Sequence, residues 1–111
     1  MPHEQSANGP IMRYFVARAK PGRGADLARK FATTSAGVVQ DEPGNRGYFF
    51  GPSVEDDGDV LVFASLWQNL DAVKERFGDD WQSSFLPPGY DDLIAECSVR
   101  HYDLSAGWQV E

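Results

Sequence analysis

Apolar and polar positions fall into blocks along the chain, and each block carries its own period. Ile11 to Lys20, IMRYFVARAK, is rich in β-branched and aromatic residues and predicts a strand, which Pro21-Gly22-Arg23-Gly24 breaks. In residues 25–42, ADLARKFATTSAGVVQDE, Leu27, Phe31, Thr34 and Val38 recur at i, i+4, i+7 and i+11. That is a helical stripe, weakened by Gly37 and ended by Pro43-Gly44. Residues 45–52, NRGYFFGP, predict a second strand. Val60 to Trp67, VLVFASLW, predicts a third, apolar on both faces. The SVEDDGD between them makes a hairpin with a long acidic loop. Asn69 is placed to cap a second helix, with Leu70, Val73 and Phe77 at i, i+3 and i+7 and Gly78 just past its end. The stretch DDWQSSFLPPGYDD is irregular, because Pro87-Pro88-Gly89 interrupts any helix there. Leu93 to Leu104, LIAECSVRHYDL, alternates and predicts the last strand. Ala95, Cys97, Val99 and His101 share one face, assigned to the helix side, and Glu96, Ser98 and Arg100 the other.

The order β-α-β-β-α-β predicts an α+β, ferredoxin-like domain over residues 11–104, with a four-stranded antiparallel sheet and both helices on one face. Residues 1–10 read as a mobile N-terminal tail and 105–111 as a C-terminal tail that Trp108 could dock. The first three strands put apolar groups on both sides: Phe15 against Tyr14 and Val16, Phe49 against Tyr48 and Phe50, Phe63 against Leu61 and Val62. A lone sheet would leave such a face in water, so a homodimer through the open sheet face is expected.

Charge and composition narrow the partners. The formal net charge is −7, and no basic stripe interrupts it, which excludes nucleic acid and anionic membrane as expected partners. The acidic clusters Glu55-Asp56-Asp57, Asp79-Asp80 and Asp91-Asp92 read as solvated loops, and the spacing of Asp56, Asp57 and Asp59 does not match a calcium loop. A single cysteine, Cys97, allows no intrachain disulfide and reads as a small buried hydrophobe. The start, MPHEQSANGP, has no apolar secretion segment, and no apolar run approaches a membrane span. A cytoplasmic protein is expected. There is no Gly-rich phosphate loop and no zinc-type spacing.

Several pieces in order resemble the antibiotic biosynthesis monooxygenase family: the first strand ending in AKPGRG, the helix ending in DEPGNRGYFF, and above all VFASLWQNLDAVKERFGDDW, followed by FLPP and SVRHYDL. The resemblance spans residues 11–104 and is strongest to uncharacterised members. It implies a dimeric α+β barrel and three possible outcomes. One is oxygenation of an electron-rich phenol or anthrone-like aromatic without metal or flavin. Another is a non-catalytic small-molecule binder. The third is haem cleavage. The resembling haem degraders use an Asn on the first strand, a Trp on the second helix and a His just beyond it. Here the first strand has no Asn, LDAVKERF has no Trp, and no His lies between Trp81 and the last strand.

On that resemblance, the expected function is a monooxygenase with no cofactor, acting on a small aromatic molecule. Trp81, Phe85 and Tyr90 are the candidate pocket walls in the irregular segment. His101 is the candidate catalytic group, being the side chain in the domain that ordinarily titrates near neutrality. Arg18 is the candidate anion partner. Trp67, at the strand–helix corner, reads as core; its indole N–H would need an acceptor when buried. Arg100, Tyr14 and Tyr48 have both site and packing readings, and Asn45 and Arg46 carry no assigned role.

Overall fold

The computed structural model describes residues 9–107; Trp108 and most of the N-terminal tail lie outside them. Strands β1 (Ile11–Ala19), β2 (Asn45–Pro52), β3 (Val60–Trp67) and β4 (Ile94–Asp103) form one antiparallel sheet in the order β2-β3-β1-β4. Between β1 and β2 runs one helical rod: α1 (Gly24–Lys30), a π-helical turn (Phe31–Ser35) and α2 (Ala36–Val39). Helix α3 (Leu70–Phe77) follows β3. The architecture is the expected α+β, ferredoxin-like one.

The period-2 pattern of β1 sorts its residues cleanly. Ile11, Arg13, Phe15, Ala17 and Ala19 are buried toward the helices, while Tyr14, Val16 and Arg18 face outward. Ala17 and Ala19 are small, which lets the helical rod come close. Leu27 and Phe31, both fully buried, fill the space above. Phe31 is the hub of the core: its ring meets Phe15, Phe50 and Phe63 edge-on at 5.9, 6.5 and 5.5 Å between centroids.

The π turn has a local cause. The hydroxyl of fully buried Tyr90 donates to the Lys30 carbonyl at 3.1 Å and sits 2.5 Å from Ser35 Oγ. A side chain has entered the helical ladder, and the Ala36 N–H reaches back five residues to Phe31 O. The start of α1 is fixed from the acidic loop: the Asp59 carboxylate accepts from Gly24 N–H at 3.0 Å and Gly22 N–H at 3.1 Å. Any Cβ at Gly24 would collide with the Gly58 carbonyl, so this close approach requires glycine. At α3, Asn69 caps as expected, accepting from Ala72 N–H at 2.9 Å, and Gly78 leaves the helix at φ 76°.

One face assignment is corrected. The β1–β4 pairing shifts between Arg18 and Ala19, so that Ala19 pairs with Ile94. Ile94 is buried there, and Ala95, expected beside Cys97 on the helix side, is exposed. The opposite sheet face carries exposed Tyr14, Val16, Phe49 and Tyr102. Among the described residues no helix is long and apolar enough to cross a membrane.

Phe31→Ala removes the aromatic hub. The expected loss is about 3–5 kcal/mol of unfolding free energy, read from the midpoint of urea denaturation.

Candidate functional site

The sheet register lines up two rows across its helix-facing side. The first is apolar: Phe50, Phe63, Phe15 and Val99, in the order β2-β3-β1-β4. The second, one step along, is polar: Tyr48, Ser65, Arg13 and His101. Period-2 alternation brings each of these residues inward from a largely apolar strand. A cavity of about 40 Å³ opens over the middle of the two rows. Phe15, Phe63, Arg13 and Ser65 form its floor, and Ser35, Val38 and Val39 of the helical rod form one wall. Phe77, Phe85 and Pro87 form the other. Its size suits a water or two, and half-exposed Phe85 stands at its mouth.

Arg13 is the centre of the site. Only 4% of it is exposed, yet no carboxylate pairs with it among the described residues. Burying a charge in this way is costly unless other groups replace water. Nη1 donates to the Trp81 carbonyl at 2.6 Å and to His101 Nε2 at 3.0 Å, and Nη2 donates to the Ser83 carbonyl at 3.2 Å. The Phe77 ring lies under the guanidinium, 3.8 Å from its carbon to the ring centroid. Burial, and then the nearby charge of Arg76, lower the Arg13 pKa to about 10, so the group stays cationic at neutral pH. Arg76 itself has an acid partner, Glu42, at 3.5 Å.

His101 backs Arg13. An arginine can only donate, so Nε2 is the acceptor and the imidazole is neutral, with its proton on Nδ1. Burial, and then the Arg13 charge, push its pKa down to about 4. The Trp81 ring packs edge-on against the imidazole, with 4.8 Å between centroids.

Of the residues expected at the site, Phe85 lines the cavity. His101 and Trp81 come together, but behind Arg13 and not on the cavity wall. Tyr90 is buried under the helical rod, and burial raises the pKa of its phenol. Arg18 is on the opposite sheet face, 3.7 Å from Glu96. Trp67 is core, and its indole N–H donates to Ser65 Oγ at 2.8 Å. Tyr14 faces outward and Tyr48 inward, with its hydroxyl 3.4 Å from Gln40 Oε1. The structure adds Arg13, Ser65 and Ser35, for which the sequence alone gives no site role. The available signal was a lone cation at an inward position of β1, between Ile11 and Phe15. Among the described residues, no group of three or more His, Cys, Asp or Glu could hold a metal ion.

The His101 shift makes stability depend on pH. Above about pH 6.5 the imidazole is neutral in folded and unfolded chains alike, and its full contribution is present. Below that, the unfolded chain takes up a proton that the folded one refuses until about pH 4, so stability falls as pH falls through this window. His101 is partly exposed, and solvent screening leaves an effect on the order of 1 kcal/mol. Urea unfolding at pH 7.5 and pH 5 checks this: the wild type loses more stability than His101→Gln.

The fold is shared with solved structures of low sequence identity. PA3566 from Pseudomonas aeruginosa is 17% identical, with a TM-score of 0.68 over 87% of this chain and 95% of that one. SO0527 from Shewanella oneidensis is 17% identical, with a TM-score of 0.69 over 86% of this chain and 90% of that one. A variant of SnoaB, a cofactor-independent oxygenase from Streptomyces nogalater, is 14% identical, with a TM-score of 0.63 over 84% of this chain and 90% of that one. No curated protein sequence matches the chain. A profile of antibiotic biosynthesis monooxygenases matches residues 10–82, more than half of the chain. That match places the chain in the antibiotic biosynthesis monooxygenase family.

Proposed function

We propose that the chain is a cofactor-independent monooxygenase for a small electron-rich aromatic, bound in the cavity between sheet and helices. The observation that carries this reading is the Arg13 guanidinium, buried without a carboxylate partner beside a cavity walled by aromatic rings. Family membership and the activity named for SnoaB support it. In such a reaction an activated CH₂ of the substrate loses a proton, and the resulting anion supplies the electrons. Dioxygen adds at that carbon; one oxygen stays as a new carbonyl, and the other leaves as water with the two substrate hydrogens. A fixed positive charge in a dry site favours the anion over its neutral parent. Arg13 would supply that charge. His101, with its free lone pair occupied by Arg13, would act as a positioning residue that holds the guanidinium, and Trp81 would hold His101 in turn.

The 40 Å³ cavity is smaller than any aromatic substrate, so binding would displace the segment carrying Phe85 and Pro87. The exposed Tyr14, Val16, Phe49 and Tyr102 support a homodimer through the open sheet face. Sedimentation velocity should show a dimer, and Val16→Glu should shift it to monomer. A wild-type monomer at micromolar concentration sinks the dimer.

Oxygen uptake with dithranol, an anthrone, and no added reductant tests the activity. Arg13→Gln should lower kcat/KM by about 10²–10³-fold, and Arg18→Gln should leave it unchanged. No uptake across a panel of anthrones and phenols, with a ligand-induced rise in melting temperature instead, makes the protein a binder and overturns the oxygenase reading.

A further inference from the structure

We infer that the site, with the segment carrying Phe85 and Pro87 displaced, takes a carboxylate on an aromatic body, with Arg13 as its partner through Nε and Nη2. The inference rests on the reading of the cavity as the ligand site; for a ligand that carries a carboxylate, Arg13 pairs with that group and no longer serves the anion of the reacting carbon.

The argument starts from the donors of one guanidinium. Arg13 donates through Nη1 to Trp81 O and His101 Nε2, which occupies both protons of that nitrogen. It donates once through Nη2, to Ser83 O. Nε–H and the second Nη2–H have no acceptor among the described residues. Every fully buried side-chain nitrogen or oxygen among the described residues has a hydrogen-bond partner. Nε has none, so it reaches open space, and the open space beside Arg13 is the cavity it lines. Nε and Nη2 share one edge of the guanidinium, the edge along which it can meet the two oxygens of a carboxylate.

The surroundings agree. The cavity lining contains no Asp or Glu, so the charge has no built-in counter-ion. Ser65 lies opposite Arg13 in the β1–β3 register. Its oxygen accepts from the Trp67 indole, which leaves its own proton to donate. Phe15, Phe63, Phe77 and Phe85 offer ring faces and edges to a planar apolar body. The contacts from Trp81, Ser83 and His101 hold the guanidinium in place before any ligand arrives, which suits a rigid two-point contact. A bidentate arginine–carboxylate pair in a desolvated site discriminates strongly against the uncharged analogue, because a neutral amide cannot accept at both positions.

The test is isothermal titration of the full chain at neutral pH with 1-naphthoate and with 1-naphthamide, which differ in charge but hardly in shape. The wild type should bind the acid at least about tenfold more tightly. Arg13→Gln should abolish that preference while keeping amide affinity. Arg13→Lys, which keeps the charge but loses the fork, should show an intermediate preference. Equal wild-type affinity for acid and amide overturns the inference, as does a preference that survives in Arg13→Gln. If Arg13→Gln does not fold, the wild-type comparison and Arg13→Lys decide. Oxygen uptake from dithranol without any acid preference overturns this inference and leaves the oxygenase reading standing. An acid preference without uptake from any anthrone or phenol does the reverse.

Discussion

A positive charge buried in a small core is the constraint that organises this protein. Arg13 lies on the central strand β1 and is flanked on both sides by hydrogen-bonded strands, so its side chain cannot swing out to water without breaking the sheet. The fold must solvate it from within. Two backbone carbonyls, one imidazole and one phenyl face do so, and they come from three different parts of the chain. Each of them is placed by that demand. The segment after α3 turns inward at Trp81 and Ser83, His101 stays neutral, and Phe77 lies flat beneath the guanidinium.

The same economy explains the helical rod. The Tyr90 hydroxyl is buried and costly to leave unmatched, and it meets the rod at the π turn. There the Lys30 carbonyl accepts from it, and Ser35 closes the contact from the other side. Beyond that turn Val38 and Val39 lie over the cavity, so the irregularity is part of how the wall is shaped.

The fold was legible because its signals are local. The β-branched and aromatic content of β1, the alternation of β4, the apolar run of β3, the stripe from Leu27 to Val38 and the Asn69 cap each depend on a few neighbouring residues. The site was less legible because it depends on register. Arg13, Ser65 and His101 are far apart in sequence and become one row only when three strands are paired correctly. Arg18 and Arg13 are five residues apart on one strand, and opposite faces separate a surface ion pair from a buried charge. The sequence marks Trp81 by its ring, but its carbonyl is what holds Arg13. The displaced Ala95 shows the other limit, since a bulge changes the parity of a strand without leaving a mark in the alternation itself.

The anchoring of Arg13 on main-chain oxygens has a consequence for how such proteins diverge. Gln82 and Ser83 expose their side chains to solvent, yet the loop between α3 and β4 carries two of the contacts that hold the guanidinium. Sequence can drift there while the path of the chain is retained. Truncating the Gln82 or Ser83 side chain would leave these contacts in place, whereas a proline or a one-residue deletion would move the carbonyls and release the charge. What is inherited at this loop is a trace in space, written in atoms that every residue type supplies.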